Sequence, residues 1–262
     1  MMREEDRLLA AKIEDKARQC ADRGMLTHTA FLDLHQRSVA AGLPLPVRPL
    51  FYGGFAEAER TVAVFAPDYI DAPDPAALAA YFDAVPQEDP VRILRVEKDR
   101  FSPALTHRDY LGALMALGIR REMTGDILVD AAGCRIAVLA SMADFLTENL
   151  TAAGRATLTV TIEPPGASRA GLTAAGVPDS FTVSSLRLDS LVKNGFGVSR
   201  PAACAAITQG LVFVNDLECL KADRRVGAGD KITFRHRGRI RITACGGRSK
   251  KGRVIVEIER FR

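Results

Sequence analysis

Apolar residues open the chain at helical spacing. Leu8, Leu9, Ile13 and Ala17 recur between charged residues, which predicts an amphipathic helix over residues 3–22. A second helix is expected over 29–41, with Phe31, Leu32, Leu34 and Val39 inward and Gly42 and Pro44 as its stops. The pattern then shortens to two apolar runs, 47–51 and 61–65, which read as strands. Gly53-Gly54 lies between them and permits backbone geometry that other residues resist. Asp74 is placed to cap a short helix that Pro75 opens and that runs through Phe82.

Residues 90–163 have a clearer order. Positions 91–96 alternate as a strand, Thr106 opens a helix to Leu117, and Gly118 stops it. Segments 126–129 and 135–139 form a hairpin around Ala131-Ala132-Gly133. Ser141 caps a helix to Ala152, Gly154 ends it, and 156–162 alternates as a last strand. The order β-α-β-β-α-β is the ferredoxin-like arrangement, with helices on one sheet face and the other face open. No exposed aromatic pair stands on the expected strands, so a base-stacking platform there is not expected.

After a proline- and glycine-rich stretch from Pro164 to Pro178, the pattern is helix, tight turn, helix, glycine stop and buried strand. Ser199 is placed as an N-cap, Pro201 falls in the first helical turn, and Gly210 ends the helix at positive φ. Residues 211–214 are an apolar run that Asn215-Asp216 turns. A hairpin of 231–235 and 239–243 follows, then a turn at Gly246-Gly247 and a final strand over 253–258. Arg187, Lys193, Arg200, Lys221, Arg224 and Arg225 surround the two helices. His236, Arg237 and Arg239 lie at the first later bend, and Arg248, Lys250 and Lys251 at the second.

Charge sharpens this picture. The net charge is +4, but residues 181–262 hold 17 Lys+Arg against 7 Asp+Glu, and the other 180 residues hold 19 against 25. The final third is therefore +10 and the rest −6, which points to a polyanionic partner for the C-terminal part. The five cysteines form no C-x-x-C, and no histidine pair has zinc spacing, so reduced thiols and no metal or cofactor are expected. The charged N-terminus has no signal-peptide core, and no apolar run is long enough to span a bilayer, so a cytoplasmic protein without membrane contact is expected.

Two stretches invite sharper chemistry. Gly53-Gly54 lacks the G-x-x-x-x-G-K-[ST] pattern of a phosphate loop, and a turn is the better reading, with Glu57, Glu59 and Arg60 as a solvated or ion-paired surface. His107 and Asp109 could suggest a catalytic pair, but they do not share a helix face well and no nucleophile accompanies them. Asp109 reads instead as the third residue of a capped helix. His107, Arg108, Arg120 and Arg121 are assigned to a secondary contact with the polyanionic partner or to interdomain contact, and no catalytic residue is expected.

Arg187-Leu188-Asp189, Ser199-Arg200, the small-residue helix ending in Gly210-Leu211-Val212-Phe213-Val214-Asn215, and Gly229-Asp230 together resemble the S4 RNA-binding domain. The resemblance implies an α-L-shaped surface for structured RNA. It assigns phosphate contacts to Arg187, Lys193, Arg200 and Lys221, helix capping and RNA contact to Ser199, and a base or sugar edge to Gln209. Arg224, Arg225, Arg237 and Arg239 extend the expected RNA-binding set.

A wider resemblance rests on Gly53-Gly54-Phe55, Ala58-Glu59-Arg60, the run from Leu105 to Gly112, Leu117 to Glu122 and Gly125-Asp126-Ile127. Together with the S4 motifs these are similar to the YlmH-type S4-domain proteins, which include a bacterial cell-division-locus protein and the plastid photosystem II S4 protein. The resemblance implies a non-catalytic factor that binds ribosomal RNA or tRNA on the large ribosomal subunit, with peptidyl-tRNA, in nascent-chain quality control. The expected fold is α+β: an N-terminal α/β subdomain over 1–88, a ferredoxin-like domain over 89–165, a linker over 166–180 and the S4 domain over 181–262, in a monomer. Two other classes share parts of this pattern. S4 domains also accompany RNA-modifying enzymes, but the chain after Asp189 is too short for a pseudouridine synthase and no glycine-rich βαβ unit suits a methyltransferase. A cell-division interaction protein is the remaining alternative.

Overall fold

The computed structural model describes residues 3–166 and 176–261. The chain divides into two compact units, residues 1–172 and 173–262.

The first unit begins with helix α1 (Glu4–Arg23), strand β1 (Thr27–His28), helix α2 (Leu34–Ala41), strands β2 (Leu50–Tyr52) and β3 (Val62–Phe65), and helix α3 (Pro75–Ala84). The three strands make an antiparallel sheet in the order β1-β3-β2. Every residue of β3 is buried, because the sheet is covered on both faces. Ile13, Ala17 and Cys20 of α1 cluster with Ala63 and Phe65, while Leu78 and Phe82 of α3 cluster with Val62 and Val64. Leu8, expected on the inward stripe of α1, is instead solvent-exposed.

Helix α2 starts five residues later than the periodicity predicts. Asp33 and Gln36 form a reciprocal capping box, each side chain accepting from the other's backbone N–H at 2.9 Å. Ahead of that cap the chain is extended: Thr29 N–H donates to Ala63 O, and Leu32 pairs with Thr61. Phe31 and Leu32 are therefore buried as sheet neighbours rather than as helix-face residues. Asp74 caps α3 as expected, accepting from the N–H groups of Ala76 and Ala77.

The same unit continues through β4 (Val91–Lys98), α4 (His107–Ala116), β5 (Thr124–Val129), β6 (Gly133–Leu139), α5 (Ala143–Asn149), β7 (Ala152–Ala153) and β8 (Ala156–Ile162). The sheet order is β5-β6-β4-β8-β7, with every neighbouring pair antiparallel. Apart from the two-residue β7, this is the expected ferredoxin-like order. Ser141 does not cap α5. It lies in a short 3-10 turn, and Met142 precedes the helix. The helix also stops earlier than expected, because Ala152–Ala153 pairs with β8 around Gly154.

The sheet face away from α4 and α5 is not an open platform. Val91, Ala137 and Leu139 pack into the core shared with α3, β2 and β3. Farther along that face, Arg95 and Arg135 are ion-paired with Asp130 and Glu163.

The second unit contains β9 (Val177–Val183), α6 (Leu188–Gly195), α7 (Arg200–Thr208), β10 (Val212–Val214), β11 (Leu217–Glu218), β12 (Lys231–Phe234), β13 (Gly238–Arg248) and β14 (Val254–Phe261). They form one sheet in the order β11-β10-β12-β13-β14-β9. Leu188, Leu191 and Val192 of α6 and Ala203, Ala206 and Ile207 of α7 pack on Val212, Val214, Ile240, Ile242 and Val256 of the sheet. Of the expected linker, residues 167–175 lie outside the described residues, and 177–180 are strand. β9 is an edge strand, where Pro178 withdraws no central-ladder donor. Gly246-Gly247 does not turn the chain. Both lie within β13, at register shifts in its pairing with β14, and the turn falls at 249–252, where Gly252 N–H donates to Ser249 O.

Candidate nucleic-acid interface

Ser199 starts α7 by accepting from Ala202 N–H at 3.3 Å, and Pro201 sits in its first turn. That places Arg200 at the first helical position, pointing to the start of α6. There Asp189, with a side chain only 2% exposed, takes both arginines. Arg187 donates from Nε to its Oδ1 at 3.2 Å and from Nη2 to its Oδ2 at 3.4 Å. Arg200 donates to Oδ2 from Nε at 3.3 Å and from Nη2 at 3.0 Å. The arginines themselves remain 41% and 65% exposed. Burial alone would raise the Asp189 pKa, but hydrogen bonds from Arg187 and Arg200 and their charge outweigh it, holding the carboxyl below its ordinary value. The clamp is thus ionised at neutral pH and carries a net positive charge.

Three more cations reach this end of the helices through backbone pairing. Leu188 N–H donates to Arg224 O, Asp189 N–H to Ala222 O, and Val226 N–H to Leu186 O, while Arg187 and Arg225 form a β-bridge. Lys221, Arg224 and Arg225 are all exposed on that segment. Lys193 is exposed one helical turn beyond Asp189, on the same side of α6.

The other expected residues stand apart. Gln209 is at the far end of α7, about 14 Å along the axis from Arg200 by helical rise. Arg237 lies over the Phe234 ring at 5.6 Å from its centroid, and Arg239 over Phe261 at 4.8 Å. Arg239 alternates with buried Ile240, so it is on the sheet face opposite α6 and α7. Asp189 was missed as a site residue. Its place two positions after Arg187 was visible in the sequence, whereas its contact with Arg200, eleven positions on, depends on the two-helix turn.

In the first unit the four secondary residues divide: Arg121 and His107 lie close to each other, while Arg120 and Arg108 are at the surface. Arg121 donates from Nη1 to Thr124 O at 2.8 Å, Thr124 Oγ1 at 2.7 Å and Gly125 O at 3.0 Å. Burial, with repulsion from Arg60, pulls its pKa down to about 10, so it stays charged at neutral pH. Arg120 pairs with Glu122 at the surface, and Arg108 is exposed. Asp109 accepts from the Thr106 N–H and hydroxyl, both at 2.7 Å, as the capped-helix reading expects.

Arg60 is not the surface residue that its neighbours suggested. It donates to Thr124 O at 3.1 Å, Arg121 O at 3.1 Å and Phe31 O at 3.4 Å. Asp126 answers from the ferredoxin-like sheet by accepting the N–H groups of Glu59 and Arg60 at 2.7 and 3.1 Å. The glycine pair makes this approach possible. Gly54 has φ +80°, and a Cβ on Gly53 would meet Ala58 Cβ at 2.3 Å and Arg60 O at 2.6 Å. The family-like motifs of this unit therefore converge on one polar seam.

His107 sits beside that seam. The ring is exposed, but partial desolvation at the seam's edge, then the Arg121 charge, lowers its pKa, and Asp126 only partly offsets them. Its folded pKa is below the unfolded value of about 6.5, so the unfolded chain binds more protons in the interval between the two. Stability should consequently fall as pH drops through about 6.5 and level off below the folded pKa. His107→Gln should shallow that slope in urea denaturation measured from pH 7.5 to 5, whereas an identical slope removes this assignment. His28, also lowered by burial, titrates in the same direction, so the difference between the two proteins is the quantity to read.

Two helices at a tight turn, a strand behind them and a cationic rim held by a buried carboxylate define an RNA-binding module of the S4 class. Comparison with known proteins agrees: the S4 domain model matches residues 186–232, and a model described as "Putative RNA-binding domain in YlmH" matches residues 90–165. The chain is also 31% identical over 238 residues to the ribosome-associated protein quality control protein P2 of Bacillus subtilis (strain 168), covering 88% of this chain and 86% of that protein. A solved structure, the cell division protein YlmH from Streptococcus pneumoniae, is similar at 22% identity and a TM-score of 0.47, over 63% of this chain and 94% of that one. The chain belongs to the YlmH family of S4-domain RNA-binding proteins. Among the described residues, no helix is long and apolar enough to cross a membrane.

Proposed function

We infer that this protein is a non-catalytic factor that binds structured RNA on the large ribosomal subunit, next to peptidyl-tRNA, in the quality control of stalled nascent chains. The observation that carries the reading is the Arg187–Asp189–Arg200 clamp with Lys193, Lys221, Arg224 and Arg225 beside it. Forked guanidinium groups suit phosphate oxygens, and every phosphate contact releases counterions, so backbone charge dominates affinity and RNA shape gives selectivity. The ribosomal setting is supported by the name of the Bacillus relative, similar along most of both chains. Gln209, Arg237 and Arg239 are proposed as outlying contacts, and Arg108 and Arg120 as contacts of the ferredoxin-like domain. The protein works as a cytoplasmic monomer organised as 1–88, 89–165 and 181–262.

The test is co-sedimentation of the purified protein with separated ribosomal subunits. Retention by large subunits, increased when they carry peptidyl-tRNA, is expected. Equal retention by small subunits, or none by either, rejects the ribosomal assignment.

A further inference from the structure

The loop between β4 and α4 holds an aromatic ring in solvent. Phe101 is 94% exposed, more than any other large apolar side chain among the described residues. The turn that carries it is built. The Asp99 carboxylate accepts the Phe101 N–H at 2.8 Å and the Ser102 hydroxyl, Ser102 N–H donates to Asp99 O at 3.2 Å, and Lys98 Nζ donates to Ser102 O at 3.1 Å. Asp99 N–H also donates to Thr157 O at 3.0 Å, which ties the turn to β8. A single exposed apolar side chain is ordinary on a protein surface. Its surroundings distinguish this one.

Arg100 flanks the ring in sequence. Arg155 lies at the β7–β8 tip, two residues from the Thr157 anchor of the turn. Arg108, at the start of α4, lines a groove of about 500 Å³ with Gly154 of that tip. Among the described residues, no carboxylate is ion-paired with Arg100, Arg108 or Arg155, while Asp99 and Asp109 are engaged by donors of their own turns. One end of the ferredoxin-like domain thus carries a presented ring together with three exposed guanidinium groups that no described carboxylate pairs with. An apolar protein partner would have no use for those charges, whereas a nucleic acid strand uses both features: phosphates meet the cations and an unpaired base covers the ring.

We propose that Phe101 stacks on an unpaired base of the bound RNA, with Arg100, Arg108 and Arg155 contacting the flanking phosphates. This rests on the RNA-binding reading above and names the surface by which the ferredoxin-like domain takes part.

The full-length protein would be titrated by fluorescence anisotropy with a labelled RNA hairpin bearing an unpaired loop and, in parallel, with a blunt duplex of the same stem. Phe101→Ala should weaken hairpin binding about tenfold, the effect of losing one stacked base. The duplex affinity, the salt dependence and the thermal midpoint should stay unchanged, because the ring is outside the core. Phe101→Tyr should retain affinity and Phe101→Leu should not. Arg100→Gln with Arg155→Gln should flatten the salt dependence instead. If Phe101→Ala binds the hairpin like wild type while removal of Arg187 and Arg200 weakens it, the stacking proposal is overturned and the S4 reading stands. If the wild type binds neither RNA, both fall. Loss of ribosome retention in Phe101→Ala with hairpin binding intact would assign the ring to a protein contact and likewise overturn the proposal.

Discussion

Arg187→Ala combined with Arg200→Ala is expected to weaken binding of structured RNA by about two orders of magnitude at low salt. Each charge-assisted contact is worth about 1.5–3 kcal/mol, and about 1.4 kcal/mol is a factor of ten. The dependence of log affinity on log salt should also flatten by about 1.5, since two phosphate contacts release fewer counterions. Geometry supports a joint effect rather than two separate ones. Both guanidinium groups turn their Nε–Nη2 edge to Asp189, which leaves each Nη1 available to a phosphate. Their side chains are already ordered before RNA arrives, so binding does not bear the full cost of fixing two long rotamer-rich chains. Single substitutions should be non-additive, because the arginine that remains inherits the whole Asp189 charge. Titrations of the two single variants and the double variant across salt would test this. Wild-type affinity and slope in the double variant would remove the clamp from the RNA site.

Asp189→Asn separates clamp geometry from charge. The amide keeps the shape but loses the counter-charge, so Arg187 and Arg200 are held less firmly while the surface becomes more positive. Non-specific binding should rise and the preference for structured over unstructured RNA should fall.

Which parts of this molecule could be anticipated follows from the range of the interactions. Asp74-Pro75 and Ser199-Arg200-Pro201 contain their helix starts within three or four residues, and the structure uses them as expected. The βαββαβ order is likewise carried by local periodicity and by Gly118 and Gly154. Pairings across long separations were not visible. Thr27–His28 is extended only because β3 lies beside it, some 36 residues away, and 177–180 are strand only because β14 supplies an edge. The proline and glycine content there described the local chain correctly and its pairing not at all. In the interface, the cations could be read one by one from the S4-like motifs, but their division into a clamp around Asp189, a segment paired to its backbone, and Arg239 on the opposite sheet face needed the tertiary arrangement.

Arg60→Ala should destabilise the first unit by about 3 kcal/mol, the range for removing one partner from a largely desolvated charged network. The side chain joins three carbonyls from two segments, Phe31 on one side and Arg121 and Thr124 on the other, while Asp126 returns two bonds to the 59–60 backbone. Its removal leaves those carbonyls without that donor and Asp126 without its first positive neighbour. Burial already raises the Asp126 pKa against the pull of the Glu59 and Arg60 N–H groups and of the Arg60 and Arg121 charges. Losing Arg60 should push it further up. Arg60→Lys should rescue little, since one ammonium lacks the planar fork that reaches three acceptors. Asp126→Asn should cost about half as much, because its remaining amide oxygen can still accept from one of the two N–H groups but without charge. Urea denaturation at neutral pH compares the three variants. Full rescue by lysine would mean that charge alone matters at position 60, and a wild-type midpoint in Arg60→Ala would mean that the seam does not hold the N-terminal strands to the ferredoxin-like sheet.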